Sequence, residues 1–460
     1  MGPLGRAADG PPQILYAGAM LPAAGSAPFS RAVLGVTGAA LAVRLGFVLL
    51  TPDGLVSDAD FYHGYARALA RGASYVNADG SPAVLWMPGW PAFLAALQLL
   101  FGPAVLVGEL ANALLGALTA GVVCALGSRL IQPRVGLLAG VLYALWPGVF
   151  YYAAVLFSET LFAALFWSGV LALAIASSEG QRGRTWLVGG ALLVSAATWV
   201  RSEPLLMLPV LALYLWRSAL LRPGGSRRGA VNALLLVSLV GLLLAPWTVR
   251  NALVFGRFIP TAANGGTVFY EGNHAGAPGS NDLSAMLEFR KRFGHLSLGE
   301  GDVARGAAGW SEGFAFIRAH PLEFLGIAAL KLRATYATDD RAPVLIRGFE
   351  GPRRVMPSHH VPLLGYMSES AMLRLQLVAN VYWYGVLALA AFGLAGAMSW
   401  PRETRLLLLG LWAGWLVIHV VMIGGARFHF AETPILALLA AQGITALARF
   451  FPAQEPSTSS

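Results

Sequence analysis

The 460-residue chain is 57% hydrophobic and 12% charged, where soluble domains carry about 25% charged residues, and its repeated apolar runs of bilayer length exclude a soluble protein. Its net charge of +9 would suggest nucleic acid in a soluble chain, but thirty of the 32 basic residues are arginines whose positions follow membrane topology, so no nucleic-acid partner is inferred. Cys124 is the single cysteine, which excludes both a disulfide framework and a cysteine-based metal site.

In chain order, residues 1–29 are rich in Ala, Pro and Gly and read as a disordered cytoplasmic tail before an uncleaved anchor. Spans are expected near 31–50, 105–128, 135–150, 153–176, 186–200, 203–217, 230–249, 372–397, 405–423 and 430–449, which gives an all-α polytopic membrane protein of about ten transmembrane helices. Residues 30–450 form one transmembrane domain, and 451–460 a disordered tail. Arg129 and Arg134, Arg182 and Arg184, Arg217 with Arg222, Arg227 and Arg228, then Arg402 and Arg405 fall in alternate short loops and mark the cytoplasmic side.

Two long stretches, 51–104 and 250–371, then lie on the extracytoplasmic face. In the first, Phe61, Tyr65, Ala68 and Leu69 at helical spacing predict an amphipathic interfacial helix that Gly72 stops, with Asp58 as its natural N-cap. Residues 89–101 are too short to span and form an interfacial or re-entrant shelf. The second stretch carries turn-rich segments, Ala263-Asn264-Gly265-Gly266 and Tyr270-Glu271-Gly272-Asn273-His274, followed by amphipathic helices at 303–318 and 321–336.

This topology gathers Asp58, Asp60, Glu159, Arg201, Glu203, Arg250, Arg427, His429 and Glu432 at the extracytoplasmic ends of the spans. Ionisable groups at that depth are costly unless paired or facing a wet cavity, so they point to a site, although arginine snorkelling alone would also put some there. Asp58 and Asp60 would point about 200° apart on a helix, so one of them leads, and Asp58 is favoured as the acid. Its bland role is the helix cap. Glu159, about one turn inside the fourth span, requires a cation, with Arg201 or Arg44 the nearest choices. Arg201, Arg250 and Arg427 offer planar donor sets suited to a phosphate at headgroup depth. His429 and His274 lack a helix-spaced His or Glu partner, and no metal site is assigned. There is no phosphate-binding glycine loop of a familiar nucleotide module, so an activated substrate would come dissolved in the membrane.

Residues 58–72, Asp58-Ala59-Asp60-Phe61-Tyr62-His63-Gly64-Tyr65-Ala66-Arg67-Ala68-Leu69-Ala70-Arg71-Gly72, together with Met87-Pro88-Gly89-Trp90-Pro91, resemble the first loop of the GT-C glycosyltransferases that use polyprenyl-phosphate sugars, such as protein mannosyltransferases and the lipid A aminoarabinose transferase. Ser158-Glu159, Thr198-Trp199-Val200-Arg201, Pro246-Trp247 with Arg250-Asn251, Gly272-Asn273 and Arg427-Phe428 with Pro434 extend the resemblance over most of the chain. Many members carry Asp-Glu at the first-loop acid, whereas Ala59 follows Asp58 here; the Tyr62 spacing favours Asp58 as the equivalent.

The resemblance implies an inverting single displacement in which Asp58, with Asp60 as the other catalytic candidate, acts as base toward an acceptor hydroxyl or amine that attacks the anomeric carbon of a lipid-phosphate sugar. Glu159, Arg201, Arg250, Arg427, His429 and Tyr62 would line the lipid-phosphate site. A carboxylate beside arginine is a weak base, so Asp58 must be spaced from the phosphate clamp or act by orientation. The implied partners are a polyprenyl-phosphate-linked sugar donor, an extracytoplasmic acceptor (lipid, glycan or protein) and membrane lipids; no cofactor is demanded, and a divalent metal could substitute for arginine. The arginine bias with abundant Ala and Gly suits a bacterial inner membrane. A ligase or polymerase acting on lipid-pyrophosphate oligosaccharides would use the same arginine-rich face. A transporter is the weaker alternative, since no internal repeat is found.

Overall fold

The structure, a computed structural model, describes residues 27–51, 58–178, 183–220, 225–347 and 369–449. Of the tail expected at 1–29, residues 1–26 lie outside the described residues, as do the tail at 451–460 and the topology markers Arg182 and Arg222, whereas Ala27–Phe29 are not disordered but open the first helix. Among the described residues the chain is helical, with an isolated antiparallel bridge between Val76 and Pro82.

The helices are α1 (Ala27–Leu50), α2 (Asp58–Ala70), α3 (Gly89–Phe101), α4 (Val105–Leu130), α5 (Pro133–Leu145), α6 (Pro147–Phe150), α7 (Glu159–Ser178), α8 (Gly183–Val200), α9 (Pro204–Leu220) and α10 (Gly225–Phe255). The second half holds α11 (Asn264–Gly272), α12 (Leu283–Lys291), α13 (Leu298–Ala319), α14 (Pro321–Tyr336), α15 (Arg341–Arg347), α16 (Glu369–Ala397), α17 (Arg402–Val421) and α18 (Thr433–Leu447). Short 3-10 turns cover Tyr151–Ala154 and Phe428–Glu432. Among the described residues seven helices are long and apolar enough to cross a membrane, nine if two bent pairs each count as one span. Each of the ten runs expected from sequence contains a helix.

The bundle has an inside and an outside. The apolar windows of α7 and of the segment containing α18 are 78% and 83% buried within the protein, whereas those of α1 and α10 are each 22% buried, so the former are central and the latter present their apolar surface outward. Backbones approach closely in the centre: a Cβ on Gly393 of α16 would fall 1.8 Å from the Leu439 carbonyl oxygen of α18, and one on Gly443 2.1 Å from that of Leu389. Small residues permit this contact, which substitutes packing for the hydrophobic driving force that lipid removes.

Two boundaries differ from the sequence reading. The run expected at 135–150 is broken, because Pro147 restarts the helix as α6 after a 60° bend. The run expected from 153 begins at Glu159, because Tyr151–Ala154 winds as a 3-10 turn and Val155 is extended. Glu159 therefore opens its helix instead of sitting a turn inside it, a place where the helix dipole favours a carboxylate.

The long stretches pack into one cap. Helix α2 lies on α3 and ends at Gly72, whose φ of 80° few side chains adopt. Its buried positions are Ala59, Tyr62, His63, Tyr65 and Ala66, while Phe61 stays 55% exposed with its ring against Trp86. The expected apolar stripe through Phe61 is thus rotated, since His63 turns inward to the Pro103 carbonyl oxygen at 3.2 Å. The shelf spans Gly89–Phe101 as expected and ends in the exposed trio Leu99, Leu100 and Phe101. Helix α11 packs on α13 through Phe269, whose ring meets Trp310 and Phe314. Backbone bonds from Ala263 to Val84 O (2.8 Å) and Asn264 to Leu85 O (3.3 Å) join the two loops.

Candidate active site

Three segment starts and one helix end meet at the base of this cap. Asp58 is the first residue of α2, Glu159 the first of α7, Arg201 directly follows α8, and Arg427 precedes the Phe428–Glu432 turn. Arg427 is held in place because Gly424 accepts close contact from α14, its N–H donating to Gly279 O at 2.9 Å, while the Gly425 N–H donates to Thr335 Oγ1 at 3.2 Å.

The side chains converge on Glu159. Arg427 Nη1 lies 2.6 Å from Asp58 Oδ2, and its Nε donates to Glu159 Oε1. Arg201 reaches the same oxygen through Nη1 at 2.9 Å and pairs with Glu203 at 2.8 Å. The Arg427 guanidinium also lies 4.0 Å from the Phe157 ring centroid. Glu159 is buried, and its Oε2 has no hydrogen-bond partner among the described residues, whereas the Asp58 side chain is 27% exposed and forms the open edge. Burial opposes the charge on Arg427, but Glu159 and Asp58 outweigh it and keep the guanidinium protonated. The same contest at Arg201 is decided by Glu203 and Glu159. Tyr62 is buried beside the cluster, and burial with the Asp58 charge holds it as a neutral phenol.

The structure therefore brings together Asp58, Glu159, Arg201, Arg427 and Tyr62. Asp60 is exposed on the other side of α2, with no hydrogen bond or ion pair among the described residues. Arg250 is directed into the first loop, where it donates to Ala83 O at 2.9 Å and lies over Trp247 at 5.0 Å. His429 is buried below the cluster, its ring nitrogens 2.7 Å from Thr335 O and 2.9 Å from Asp339 Oδ1, its ring stacked on Trp383. Asp339 also accepts from Trp146 Nε1 at 2.6 Å, so His429 belongs to a buried network that ties α5, α14 and α16 to the Arg427 segment. Arg44, the other cation considered for Glu159, instead donates to the Ala144 carbonyl oxygen at 3.1 Å.

Two groups escaped the sequence reading. Arg341 of α15 lies within electrostatic reach of Asp58 and Arg427. Glu271 of α11 is buried and feels the Asp58 charge. Only its place in the turn-rich segment beside Gly272-Asn273 hinted at it.

No family model matches the chain, and no curated protein matches it in sequence. Solved structures do. The archaeal oligosaccharyltransferase AglB from Archaeoglobus fulgidus, in complex with an inhibitory peptide and a dolichol-phosphate, superposes with a TM-score of 0.54 at 13% identity over 94% of this chain and 53% of that one. The A. fulgidus enzyme complexed with Zn and sulfate gives 0.52 at 12% identity over 90% and 49%. ArnT from Cupriavidus metallidurans bound to undecaprenyl phosphate gives 0.39 at 16% identity over 92% and 78%. The chain spans about half the length of the oligosaccharyltransferase.

Asp58 and Glu159 share the Arg427 guanidinium, and among the described residues no three His, Cys, Asp or Glu side chains converge. What the superposition establishes is architecture: the chain shares the fold of the matched part of the archaeal oligosaccharyltransferase.

Proposed function

We propose that this chain is a membrane glycosyltransferase that moves a sugar from a polyprenyl-phosphate donor to an extracytoplasmic acceptor, with inversion at the anomeric carbon. The observation that carries the reading is the pairing of Arg427 and Arg201 about one buried carboxylate, with Asp58 at the open edge. Charge builds on the departing lipid phosphate in such a transfer, from the monoanionic phosphodiester towards a dianion, and preorganised guanidinium groups stabilise that added charge more than the singly charged ground state. Glu159 fixes the two arginines at a set separation. Asp58 gives one oxygen to Arg427 and keeps the other for the acceptor's nucleophile. Support also comes from the archaeal oligosaccharyltransferase of the same fold, which has been solved with a dolichol-phosphate.

The alternating arginine-rich loops support an active site on the extracytoplasmic side, in a bacterial inner membrane. A ligase acting on lipid-pyrophosphate oligosaccharides is the second reading, favoured by the nearness of a third cation, Arg341, to Asp58. Purified protein is reconstituted in nanodiscs with radiolabelled sugars on polyprenyl monophosphate or pyrophosphate. Transfer from the monophosphate donor that is lost in Asp58→Asn and Arg427→Gln supports the first reading. Transfer only from the pyrophosphate donor replaces it with the second.

A further inference from the structure

The outer face of α2 presents an aromatic ring among charges. Asp60, Arg67 and, just past the helix, Arg71 follow at helical spacing and are exposed, and Phe61 beside them is 55% exposed. A Cβ on Gly64, one turn on from Phe61, would meet nothing within 4 Å, so the surface next to the ring is open. Lipid chains laid over Phe61 would also cover Asp60 and Arg67, which costs more than the ring gains. The ring therefore faces water.

Phe61 has an aromatic partner at the edge of the candidate site. Its ring centroid lies 5.2 Å from that of half-buried Trp86, whose indole also meets Tyr62 at 5.6 Å and Tyr65 at 6.2 Å. The Tyr75 hydroxyl donates to the Trp86 carbonyl oxygen at 3.3 Å and holds that residue in place. Asp58, Phe61 and Tyr62 stand at i, i+3 and i+4 on α2, a spacing that sets neighbouring Cβ atoms about 5–6 Å apart. The aromatic pair thus begins one turn from the carboxylate whose Oδ2 lies 2.6 Å from Arg427. The two arginines use other rings: Arg427 lies over Phe157 at 4.0 Å and Arg201 over Phe162 at 5.9 Å. The indole N–H groups of Trp90, Trp199 and Trp247 close on the carbonyl oxygens of Leu156, Leu243 and Thr261, whereas that of Trp86 donates to no described residue.

We propose that Phe61 and Trp86 form a stacking platform for a pyranose ring of the acceptor, so that this chain glycosylates a saccharide. This deepens, and rests on, the glycosyl-transfer reading. One face of a pyranose is a patch of C–H groups that packs on the electron-rich face of an aromatic ring, while its hydroxyl groups need polar partners at the rim. Phe61 and Trp86 supply the face, and the Trp86 N–H supplies a donor. Inversion brings the nucleophile in opposite the departing phosphate, so the acceptor takes the part of the site that the arginines leave free, and the aromatic pair borders Asp58 without touching either guanidinium. An extended peptide acceptor is less well served, because the backbone groups of a helix are already paired and offer it no strand to join.

The test reads binding and transfer separately in nanodiscs, with wild type, Phe61→Leu, Phe61→Trp and Trp86→Phe. Saturation-transfer NMR measures binding of the methyl pyranosides of glucose, galactose and mannose. Transfer from polyprenyl-phosphate sugars is measured to short oligosaccharides of the same three sugars, to phosphatidylglycerol and to a Ser/Thr-rich peptide. Expected are pyranoside binding and oligosaccharide transfer in wild type, with acceptor KM raised about five- to tenfold in Phe61→Leu, which keeps apolar bulk without a ring. Phe61→Trp restores the wild-type KM, Trp86→Phe is intermediate, and in all three kcat stays within about threefold and donor binding is unchanged. If Phe61→Leu leaves pyranoside binding and acceptor KM unchanged, if donor affinity falls instead, or if the lipid or the peptide is glycosylated and the oligosaccharides are not, the platform is overturned and the glycosyltransferase reading stands. If wild type transfers no sugar from any lipid monophosphate, that reading falls and this one with it.

Discussion

Replacing Arg427 with Gln isolates the centre of the proposed site. Arg427 serves Asp58 and Glu159 and lies on the Phe157 ring, while Glu159 retains Arg201 at 2.9 Å after the change. The fold therefore keeps a partner for its buried carboxylate, and the stability loss is about 2 kcal/mol, below the 3–5 kcal/mol of an orphaned buried charge. The rate is affected more. Losing one preorganised donor to the developing phosphate charge costs about 3–4 kcal/mol of transition-state stabilisation, or about 10²–10³ in kcat. Arg427→Lys keeps the charge but not the planar fork that reaches both acids, so it retains an intermediate rate, about tenfold below wild type. Steady-state transfer and polyprenyl-phosphate binding in nanodiscs read these effects, and a cycle with Asp58→Asn reads the coupling of the pair at about 1–2 kcal/mol. If Arg427→Gln folds, binds lipid phosphate and keeps kcat within about threefold of wild type, the guanidinium is not stabilising the leaving group and the reasoning fails.

Glu271 also predicts a stability trend. Its folded carboxyl titrates at about 7 against 4.5 unfolded, so the folded state binds more protons between those values, and stability falls as pH rises through that window and levels off above it. Glu271→Gln removes a penalty of about 3 kcal/mol at pH 8, seen as a raised thermal midpoint there and little change at pH 4. Lys331→Met leaves Asn273 Oδ1 and two carbonyl oxygens without their ammonium and lowers stability by about 2–4 kcal/mol, measured by thermal unfolding in detergent. Gly393→Ala forces a methyl group against the Leu439 carbonyl oxygen and costs about 1–3 kcal/mol in the same assay, while the solvent-facing Asp60→Asn leaves transfer within about twofold of wild type.

The helices were legible in the sequence because a bilayer demands long apolar runs, and the shelf at 89–101 was legible because it is too short for one. Boundaries at Pro147 and Glu159 were not, since apolar content continues across both while the backbone changes course. Topology put Asp58, Glu159, Arg201 and Arg427 at one expected membrane level, where buried charges gain from pairing, but which of the charges there would pair is set by the packing. Arg250 satisfied the same rule yet turned into the first loop, because backbone carbonyl oxygens at Ala83 and Tyr75 compete for a guanidinium as effectively as acids do. Glu271 had no periodic or paired signal: what distinguishes it is burial without a hydrogen bond or ion pair among the described residues, and that appears only in three dimensions.

The Lys331 ammonium has a mechanical meaning. It closes the carboxyl end of α17 and, through Asn273, fastens one end of α11, while backbone bonds from Ala263 and Asn264 stitch the other end to Val84 and Leu85. A beam clamped at both ends cannot swing on either one. Lifting it would have to tear the first insertion from the second or strip a cation of its oxygens, so the amides of Ala263 and Asn264, which donate to the Val84 and Leu85 carbonyl oxygens, open together with those of α11 and share one opening free energy in hydrogen exchange.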